Sequence, residues 1–184
     1  MNKLATSRLA VGLAVVVLSA CGGRGKIESD LGIKGAPDWV NGGASAVSDQ
    51  KGRFIQGVGM SSPIGDLSLQ RSTADNRACA KVAGVMSTYV DATIEDYTSS
   101  ANGEVDANVT REINSVTKLA LNGAKIAGRW KDKKTGDIYA FCELDMKNLD
   151  RMMETSQQLG ASFKQYYKDS SQDTFNRFVE ETQQ

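Results

Sequence analysis

The apolar run from Leu9 to Leu18, near the start of the chain, limits what the rest of the chain can be. It follows the basic residues Lys3 and Arg8. At ten residues it is too short to cross about 30 Å of hydrocarbon, which takes a helix of roughly 20 residues. Its length and its basic start are typical of the core of a secretory signal peptide, and the small residue Ala20 suits a cleavage site. The sequence therefore predicts that residues 1–20 are a signal peptide and that the fold is built from the residues after it.

The last four residues of this region, Leu18-Ser19-Ala20-Cys21, resemble a bacterial lipobox. The resemblance implies cleavage before Cys21, diacylation of its sulfur, and a fatty acyl group such as palmitate on the new amino terminus. By resemblance to the lipoprotein sorting rule, Gly22 in place of aspartate implies the outer membrane, with the periplasmic and outer faces both open. The alternative is that Leu9–Leu18 is an uncleaved anchor or an ordinary signal segment and that Cys21 is incidental.

The composition narrows the range of functions. The chain has no histidine, which excludes Ser-His-Asp and Cys-His catalysis and imidazole metal ligands on its own side chains. Its 22 basic and 22 acidic residues balance, and loss of residues 1–20 removes two bases and no acids, leaving a net charge of −2. The net charge therefore gives the chain as a whole no electrostatic reason to bind nucleic acid or an anionic surface. Because no carboxylates have a spacing that indicates acid–base or metal chemistry, we expect no enzymatic activity, cofactor or metal.

Two cysteines remain if Cys21 carries lipid. A disulfide between Cys79 and Cys142 would persist in an oxidising compartment, and closing a loop of 63 residues would add about 4 kcal/mol of stability in the chain-entropy model. The alternative is two separate buried thiols, because free cysteine is among the most buried residue types. The sequence alone does not decide between them, since a bridge requires Cα atoms within about 7 Å.

Local composition divides the chain after the signal peptide. Residues 21–36 join the cysteine to a glycine-rich stretch, which predicts a lipidated, flexible tether. Pro37-Asp38-Trp39-Val40 is then expected to be the first part of the chain to touch the folded body. Residues 37–145 are predicted to form one α/β domain, and residues 146–184 a helical C-terminal extension.

Strand and helix patterns alternate within the predicted domain. Arg53–Ser61 has strand periodicity, with Gly57 and Gly59 on a face of small residues that a helix can approach closely. Asp66–Ser87 has helical periodicity, with Asp66 as N-cap. The apolar stripe predicted for this helix is Ala74, Ala78, Val82 and Val85.

The pattern continues with a predicted strand over Thr88–Thr98 and a predicted helix over Val105–Leu121. Ala124–Lys133 and Asp137–Asp145 are predicted to form an antiparallel hairpin. Its apolar face of Ala140, Cys142 and Leu144 should meet the helices and bring Cys142 near Cys79. The predicted fold class is therefore α+β: a small mixed or antiparallel sheet of about four strands, packed against one or two helices, with the C-terminal helical extension.

Aromatic residues recur through the C-terminal extension, with interruptions expected at Gly160 and at Ser170-Ser171. One interpretation is that its helices simply cover the sheet. The other is that they pair with a partner protein or with a second copy of the chain. The candidate contact residues for the second interpretation are Phe163, Tyr166, Tyr167, Phe175 and Phe178.

Several short motifs come after Cys21 in a recognisable order. They are Pro37-Asp38-Trp39-Val40, Gly57-Val58-Gly59, the alanine-rich helix Ala74–Val85, Leu121-Asn122-Gly123-Ala124-Lys125-Ile126, Trp130-Lys131-Asp132 and Tyr139-Ala140-Phe141-Cys142-Glu143-Leu144-Asp145. Their order and spacing resemble the LPP-twenty family of bacterial outer-membrane lipoproteins, some of whose members are flagellar. The resemblance implies a compact α/β domain at the outer membrane and brings no catalytic residues with it.

These features support two functional hypotheses. The first is a non-enzymatic structural, assembly or interaction module of the cell envelope, anchored to the outer membrane and associated with the flagellum or with the envelope in general. The second is an envelope module that binds a peptidoglycan fragment or a small amphiphile. A large apolar cleft with a few converging polar groups would favour the second hypothesis, and a filled sheet–helix interface would count against it.

Overall fold

The computed structural model describes residues 31–43, 53–100 and 107–182. Within these ranges the chain forms five helices and one three-stranded antiparallel sheet, which confirms the predicted α+β class. The predicted signal peptide, Cys21 and residues 22–30 of the predicted tether lie outside the described residues. The elements are α1 (Asp38–Asn41), β1 (Phe54–Ser61), α2 (Leu67–Ser100), α3 (Ala107–Leu121), β2 (Lys125–Lys131), β3 (Ile138–Asp145), α4 (Lys147–Thr155) and α5 (Ala161–Thr182).

The strand order is β1-β3-β2, so β3 is the central strand, and the predicted hairpin of β2 and β3 is confirmed. The register aligns the strand ends: Ile138 lies opposite both Ser61 and Lys131, whereas Phe54 lies opposite Asp145. One end of the sheet therefore carries the β1–α2 and β2–β3 connections, and we call it the turn end. The opposite end, where β3 leads into α4, is called the helix end.

β1 and α2 approach each other closely because β1 has glycine where other strands carry side chains. A Cβ atom on Gly59 would lie 2.3 Å from the backbone nitrogen of Ala78 and 2.5 Å from the carbonyl oxygen of Ala74. A Cβ atom on Gly57 would lie 2.5 Å from the carbonyl oxygen of Ala78. These distances are far inside van der Waals contact, so the backbone of α2 fills this face of β1. The predicted close approach of a helix to the glycine face is confirmed.

α2 begins as predicted but continues much further. The Asp66 carboxylate accepts hydrogen bonds from the backbone N–H groups of Ser68 (2.8 Å) and Leu69 (3.0 Å), which confirms it as the N-cap. The helix then runs to Ser100, so the prediction of a strand over Thr88–Thr98 is wrong. The described sheet consequently has three strands, not about four.

Residues 88–98 are helical because the buried face of α2 continues through them. Ala74, Ala78 and Val82 are fully buried as predicted, but Val85 is 36% exposed and Met86 takes the next inward position. The stripe then continues at helical spacing through Tyr89, Val90 and Thr93, all of which are buried. Three threonine hydroxyls donate to carbonyl oxygens four residues earlier, so they are satisfied within the helix: Thr88 to Gly84, Thr93 to Tyr89 and Thr98 to Ile94.

The sheet face opposite α2 is covered by aromatic side chains. The rings of Trp39 and Phe141 lie 5.6 Å apart between centroids, and those of Trp130 and Tyr139 lie 5.7 Å apart. Val40 of α1 is 1% exposed. The predicted first contact at Pro37-Asp38-Trp39-Val40 is therefore confirmed, and α1 lies over the second face of the sheet.

The end of the predicted tether is attached to α1. The Asn41 side chain accepts a hydrogen bond from the backbone N–H of Ile33 (2.8 Å) and donates one to the Ile33 carbonyl oxygen (3.0 Å). Ile33 is thus bonded to α1, the element through which the chain first contacts the sheet.

The C-terminal helices share the core of the domain. Gly160 separates α4 from α5 as predicted. The predicted interruption at Ser170-Ser171 is wrong, because α5 is continuous there and the Ser170 hydroxyl donates to the Tyr166 carbonyl oxygen (2.7 Å). The buried residues that these helices and their connection add to the core are Leu149, Met153, Leu159, Phe163, Tyr167, Phe175 and Phe178.

Candidate functional site

The strongest site prediction, lipidation of Cys21, lies outside the described residues and stays a prediction. The structure does describe the other residues singled out in the sequence. These are the cysteine pair and the five aromatic residues of the C-terminal extension.

Cys79 and Cys142 form a disulfide, with their Cα atoms 5.2 Å apart. Cys142 lies where the sequence pattern predicts. Together with Ala140 and Leu144 it is fully buried on the face of β3 that meets α2. The alternative of two separate thiols is therefore wrong. The bond joins α2 to the central strand of the sheet, so it stabilises the same interface that the glycines of β1 make possible.

The predicted partner-contact surface is wrong for four of its five residues. They are buried inside the chain's own core, with exposures of 2% for Phe163, 4% for Tyr167 and 7% each for Phe175 and Phe178. The fifth, Tyr166, is half-buried, with its ring centroid 5.1 Å from that of Tyr97.

These aromatic residues pack against the C-terminal part of α2, where residues 88–98 have the sequence pattern of a strand. Tyr89 makes edge-on contacts with Phe175 and Phe178, at centroid distances of 5.9 and 5.6 Å. Tyr97 contacts Phe163 edge-on at 5.1 Å. Such edge-to-face pairs are a favourable aromatic geometry. The aromatic residues therefore serve the intramolecular contact of α5 with α2.

A polar cluster that the sequence analysis missed lies at the helix end, and we call it the Arg53 cluster. The Arg53 guanidinium donates to the Asp150 carboxylate in an ion pair and to the Ser171 carbonyl oxygen (3.0 Å). The Tyr167 hydroxyl donates to the other oxygen of Asp150 (2.9 Å), and the Tyr89 hydroxyl donates to the Ser171 carbonyl oxygen (3.3 Å). The cluster thus ties the start of β1 to α2, α4 and α5.

Burial and charge set the proton affinities in this cluster. Burial, assisted by the neighbouring Tyr89 and by Asp150, raises the pKa of Tyr167 far above its ordinary value of 10.0. Burial also raises the pKa of Tyr89. Burial alone would lower the pKa of Arg53, but the hydrogen bond and charge of Asp150 outweigh it and raise that pKa. Tyr167, Tyr89 and Arg53 therefore keep their ordinary protonation states at neutral pH. Their hydrogen bonds go to Asp150 and to the Ser171 carbonyl oxygen, which is the chemistry of a structural cluster.

Replacing Tyr167 by phenylalanine tests this assignment. We expect a loss of about 1–2 kcal/mol of unfolding free energy at pH 7, since a part-buried hydrogen bond to a carboxylate is lost. Because the folded pKa of Tyr167 is raised, its contribution is complete below the unfolded pKa of about 10 and is lost as the pH rises above it. The variant should therefore lose less stability than the parent between pH 9 and pH 11, roughly the range where free tyrosine ionises.

Denaturant unfolding at several pH values provides the measurement, and Tyr166→Phe is the matched control on the same helix. The control should change stability by less than about 0.5 kcal/mol at every pH, as is usual away from a buried network. Equal effects of the two substitutions would contradict the assignment.

A shallow groove of about 490 Å³ runs beside β1 and α2. Its walls include Gln56 and Val58 of β1, Lys81 and Val85 of α2, and Phe178 of α5. Gly57, whose Cβ position is filled by the backbone of α2, also lines the groove, so the groove borders the contact between β1 and α2. A small amphiphile would therefore have space at the border of this contact.

The described residues contain neither a metal-binding cluster nor a membrane span. Among residues 31–43, 53–100 and 107–182, no three Cys, Asp or Glu side chains are grouped so that they could hold a metal ion. Of the helices in those same ranges, none combines the length and the apolar character needed to cross a bilayer.

No protein-family model matches the sequence of this chain, and no curated protein matches it.

Proposed function

We propose that this protein is a lipoprotein of the outer membrane, anchored through Cys21, that acts as a non-enzymatic structural, assembly or interaction module of the cell envelope. The structural observation that carries the proposal is the disulfide between Cys79 and Cys142. Disulfides persist in oxidising compartments and are rare in the cytosol. The disulfide thus agrees with export directed by residues 1–20 and leaves Cys21 as the remaining cysteine.

The arrangement of the domain also suits a tethered module. Nine residues, 22–30, separate Cys21 from the first described residue, and a chain of that length spans at most about 30 Å. Leu31, the first described residue, would therefore stay within about 30 Å of the bilayer. Its part-buried ionisable groups, above all Arg53 and Asp150, are bonded to each other, and they hold the helices together.

Membership of the LPP-twenty family is part of the same proposal and rests on the motifs between Pro37 and Asp145. The expected compact domain with a helix against a small sheet agrees with the packing of α2 on β1 and β3. The proposal includes association with the flagellum only as one of the locations in the cell envelope where such a module would act.

Replacing Cys21 by serine is the direct test. In a diderm bacterium that expresses the full chain, we expect the parent to fractionate with the outer membrane and the Cys21→Ser variant to be lost from that fraction. The physical reason is that the acyl chains supply the membrane affinity, at about 0.8 kcal/mol per buried methylene. The measurement is the share of protein in outer-membrane, inner-membrane and soluble fractions.

A second cysteine substitution controls for folding. The Cys79→Ser/Cys142→Ser double variant keeps the proposed anchor, so it should remain in the membrane fraction even where its fold is weakened. Outer-membrane fractionation of the Cys21→Ser variant at the level of the parent would refute anchoring through this residue.

The groove beside β1 favours the second candidate function, binding of a peptidoglycan fragment or a small amphiphile. Saturable binding of a muropeptide or a short-chain phospholipid, abolished by Val85→Arg at the groove wall, would favour this candidate. Binding that survives Val85→Arg would assign the ligand to another place.

A further inference from the structure

Four aliphatic or thioether side chains are exposed together around the β1–α2 connection at the turn end of the sheet. Met60 is 39% exposed at the end of β1, Ile64 is 49% exposed in the connection, and Leu67 and Leu69 are 51% and 54% exposed in the first turn of α2. We call these four residues the apolar tip. Every residue from Ser62 to Leu69 is exposed, so the tip projects beyond the sheet.

Hydrogen bonds from a buried glutamine hold the connection that carries the apolar tip in place. The Gln70 side-chain amide, 4% exposed, donates to the carbonyl oxygens of both Ser61 and Gly136, each at 2.9 Å. These bonds fix the β1–α2 connection against the β2–β3 turn, and Pro63 packs where a side chain on Gly136 would otherwise sit. The backbone that carries the exposed apolar side chains is therefore bonded to the end of β1 and to the β2–β3 turn.

The β2–β3 turn adds basic charge beside the tip. Lys131, Lys133 and Lys134 are all exposed there, and within the described residues no carboxylate forms an ion pair with them. Asp132, in the same turn, is 8% exposed and accepts a hydrogen bond from the backbone N–H of Lys134 (2.7 Å). Asp66 likewise caps α2. Asp137, also in this turn, accepts a hydrogen bond from the Thr135 hydroxyl (2.7 Å). On the outward face next to the apolar tip, the three lysines therefore outnumber the carboxylates of Asp66 and Asp137.

We infer that the apolar tip docks on the surface of the phospholipid bilayer that carries the anchor, with its aliphatic side chains in the headgroup–acyl boundary and the three lysines against anionic headgroups. The inference rests on the proposed function, because the anchor supplies the proximity. Apolar side chains beside lysines are the pattern that binds a bilayer surface. With at most about 30 Å of chain between Cys21 and Leu31, the proposed anchor keeps the domain close to the membrane surface.

Tryptophan substitution at Leu67 tests this docking in the full, lipidated chain. The protein is reconstituted into vesicles of phosphatidylethanolamine and phosphatidylglycerol, made with or without bromine on the acyl chains, and the fluorescence of the parent is subtracted. We expect bromolipid to quench the added Leu67→Trp fluorescence by about twofold, since the ring would lie at the acyl boundary.

Leu119→Trp is the matched control. Leu119 is 55% exposed, close to the value for Leu67, but it lies on the last turns of α3 at the helix end. Its added fluorescence should not respond to bromolipid. Leu69→Trp provides a second reporter within the tip, and the unfolding midpoint of each variant should equal that of the parent because all three positions are exposed.

The outcomes separate docking from anchoring. Quenching at Leu67 and Leu69 but not at Leu119 supports the inference. Vesicle-bound protein with no quenching at the tip, or with equal quenching at all three positions, overturns it while leaving the anchor intact. A tip that responds to envelope protein extract but not to lipid also overturns it, in favour of a protein partner. Failure of the lipidated cysteine to hold the chain on vesicles would instead remove the proposed function.

Discussion

Replacing Gly59 by alanine is expected to lower the unfolding free energy by about 3 kcal/mol or more, at the upper end of what overpacking a core costs. The added methyl group would lie 2.3 Å from the backbone nitrogen of Ala78 and 2.8 Å from the backbone carbon of Arg77. Backbone atoms of a helix cannot rotate away as a side chain can. The whole of α2 would therefore have to move off the sheet, against the restraint of the disulfide from Cys79.

Denaturant unfolding measures this effect, and Gly84→Ala is the matched control. Gly84 lies within α2, is exposed, and has no atom within 4 Å of the position of an added Cβ. Alanine there should stabilise the protein by roughly 0.5–1 kcal/mol, because it is the better helix former. If Gly59→Ala were as harmless as Gly84→Ala, the close packing of β1 on α2 would be wrong.

Removing the disulfide should have a comparably large effect. The Cys79→Ala/Cys142→Ala double variant is expected to lose about 4 kcal/mol, because the unfolded chain regains the freedom of a 63-residue loop. Against a typical total stability of about 5–15 kcal/mol, this loss would lower the unfolding midpoint steeply.

Reductant provides the control for this experiment. Dithiothreitol should destabilise the parent towards the double variant and leave the double variant unchanged. A parent protein that unfolds at the same denaturant concentration with and without reductant would contradict a stabilising bridge.

The sheet–helix half of the fold is well predicted by the sequence. β1 alternates strictly, with its glycines on the inner face, and each glycine has one structural explanation, the approach of α2. The β2–β3 hairpin is equally local, since its turn directly joins the two strands that pair. These features depend on neighbouring residues, so their patterns are visible in the sequence.

The helical half of the fold depends on contacts between residues distant in sequence, and there the predictions from local patterns were wrong. Residues 88–98 alternate like a strand, yet Tyr89 and Thr93 are buried by packing that continues the face of Met86. β-propensity reflects the environment of a residue more than a backbone preference. Because residues 88–98 were predicted to be a strand, the contacts of the C-terminal aromatic residues were not predicted. Tyr89 and Tyr97 pack against Phe178 and Phe163 only when α2 is a single long helix.

Two further features could not be found from periodicity at all. The Arg53 cluster joins residues more than 90 positions apart, so no local pattern marks it. The apolar tip had a weak signal: Leu67 and Leu69 come after the N-cap but lie outside the apolar stripe of α2. Apolar residues off the buried face of a helix are therefore candidates for contact surfaces in other chains.

The most direct test of the proposed anchor is the mass of the amino-terminal peptide from protein isolated from its native membrane. We predict a chain that begins at Cys21 and whose first peptide carries the mass of a diacylglyceryl group on sulfur and a fatty acyl group on nitrogen. A peptide that retains residues 1–20, or one in which the sulfur of Cys21 is unmodified, would contradict the account.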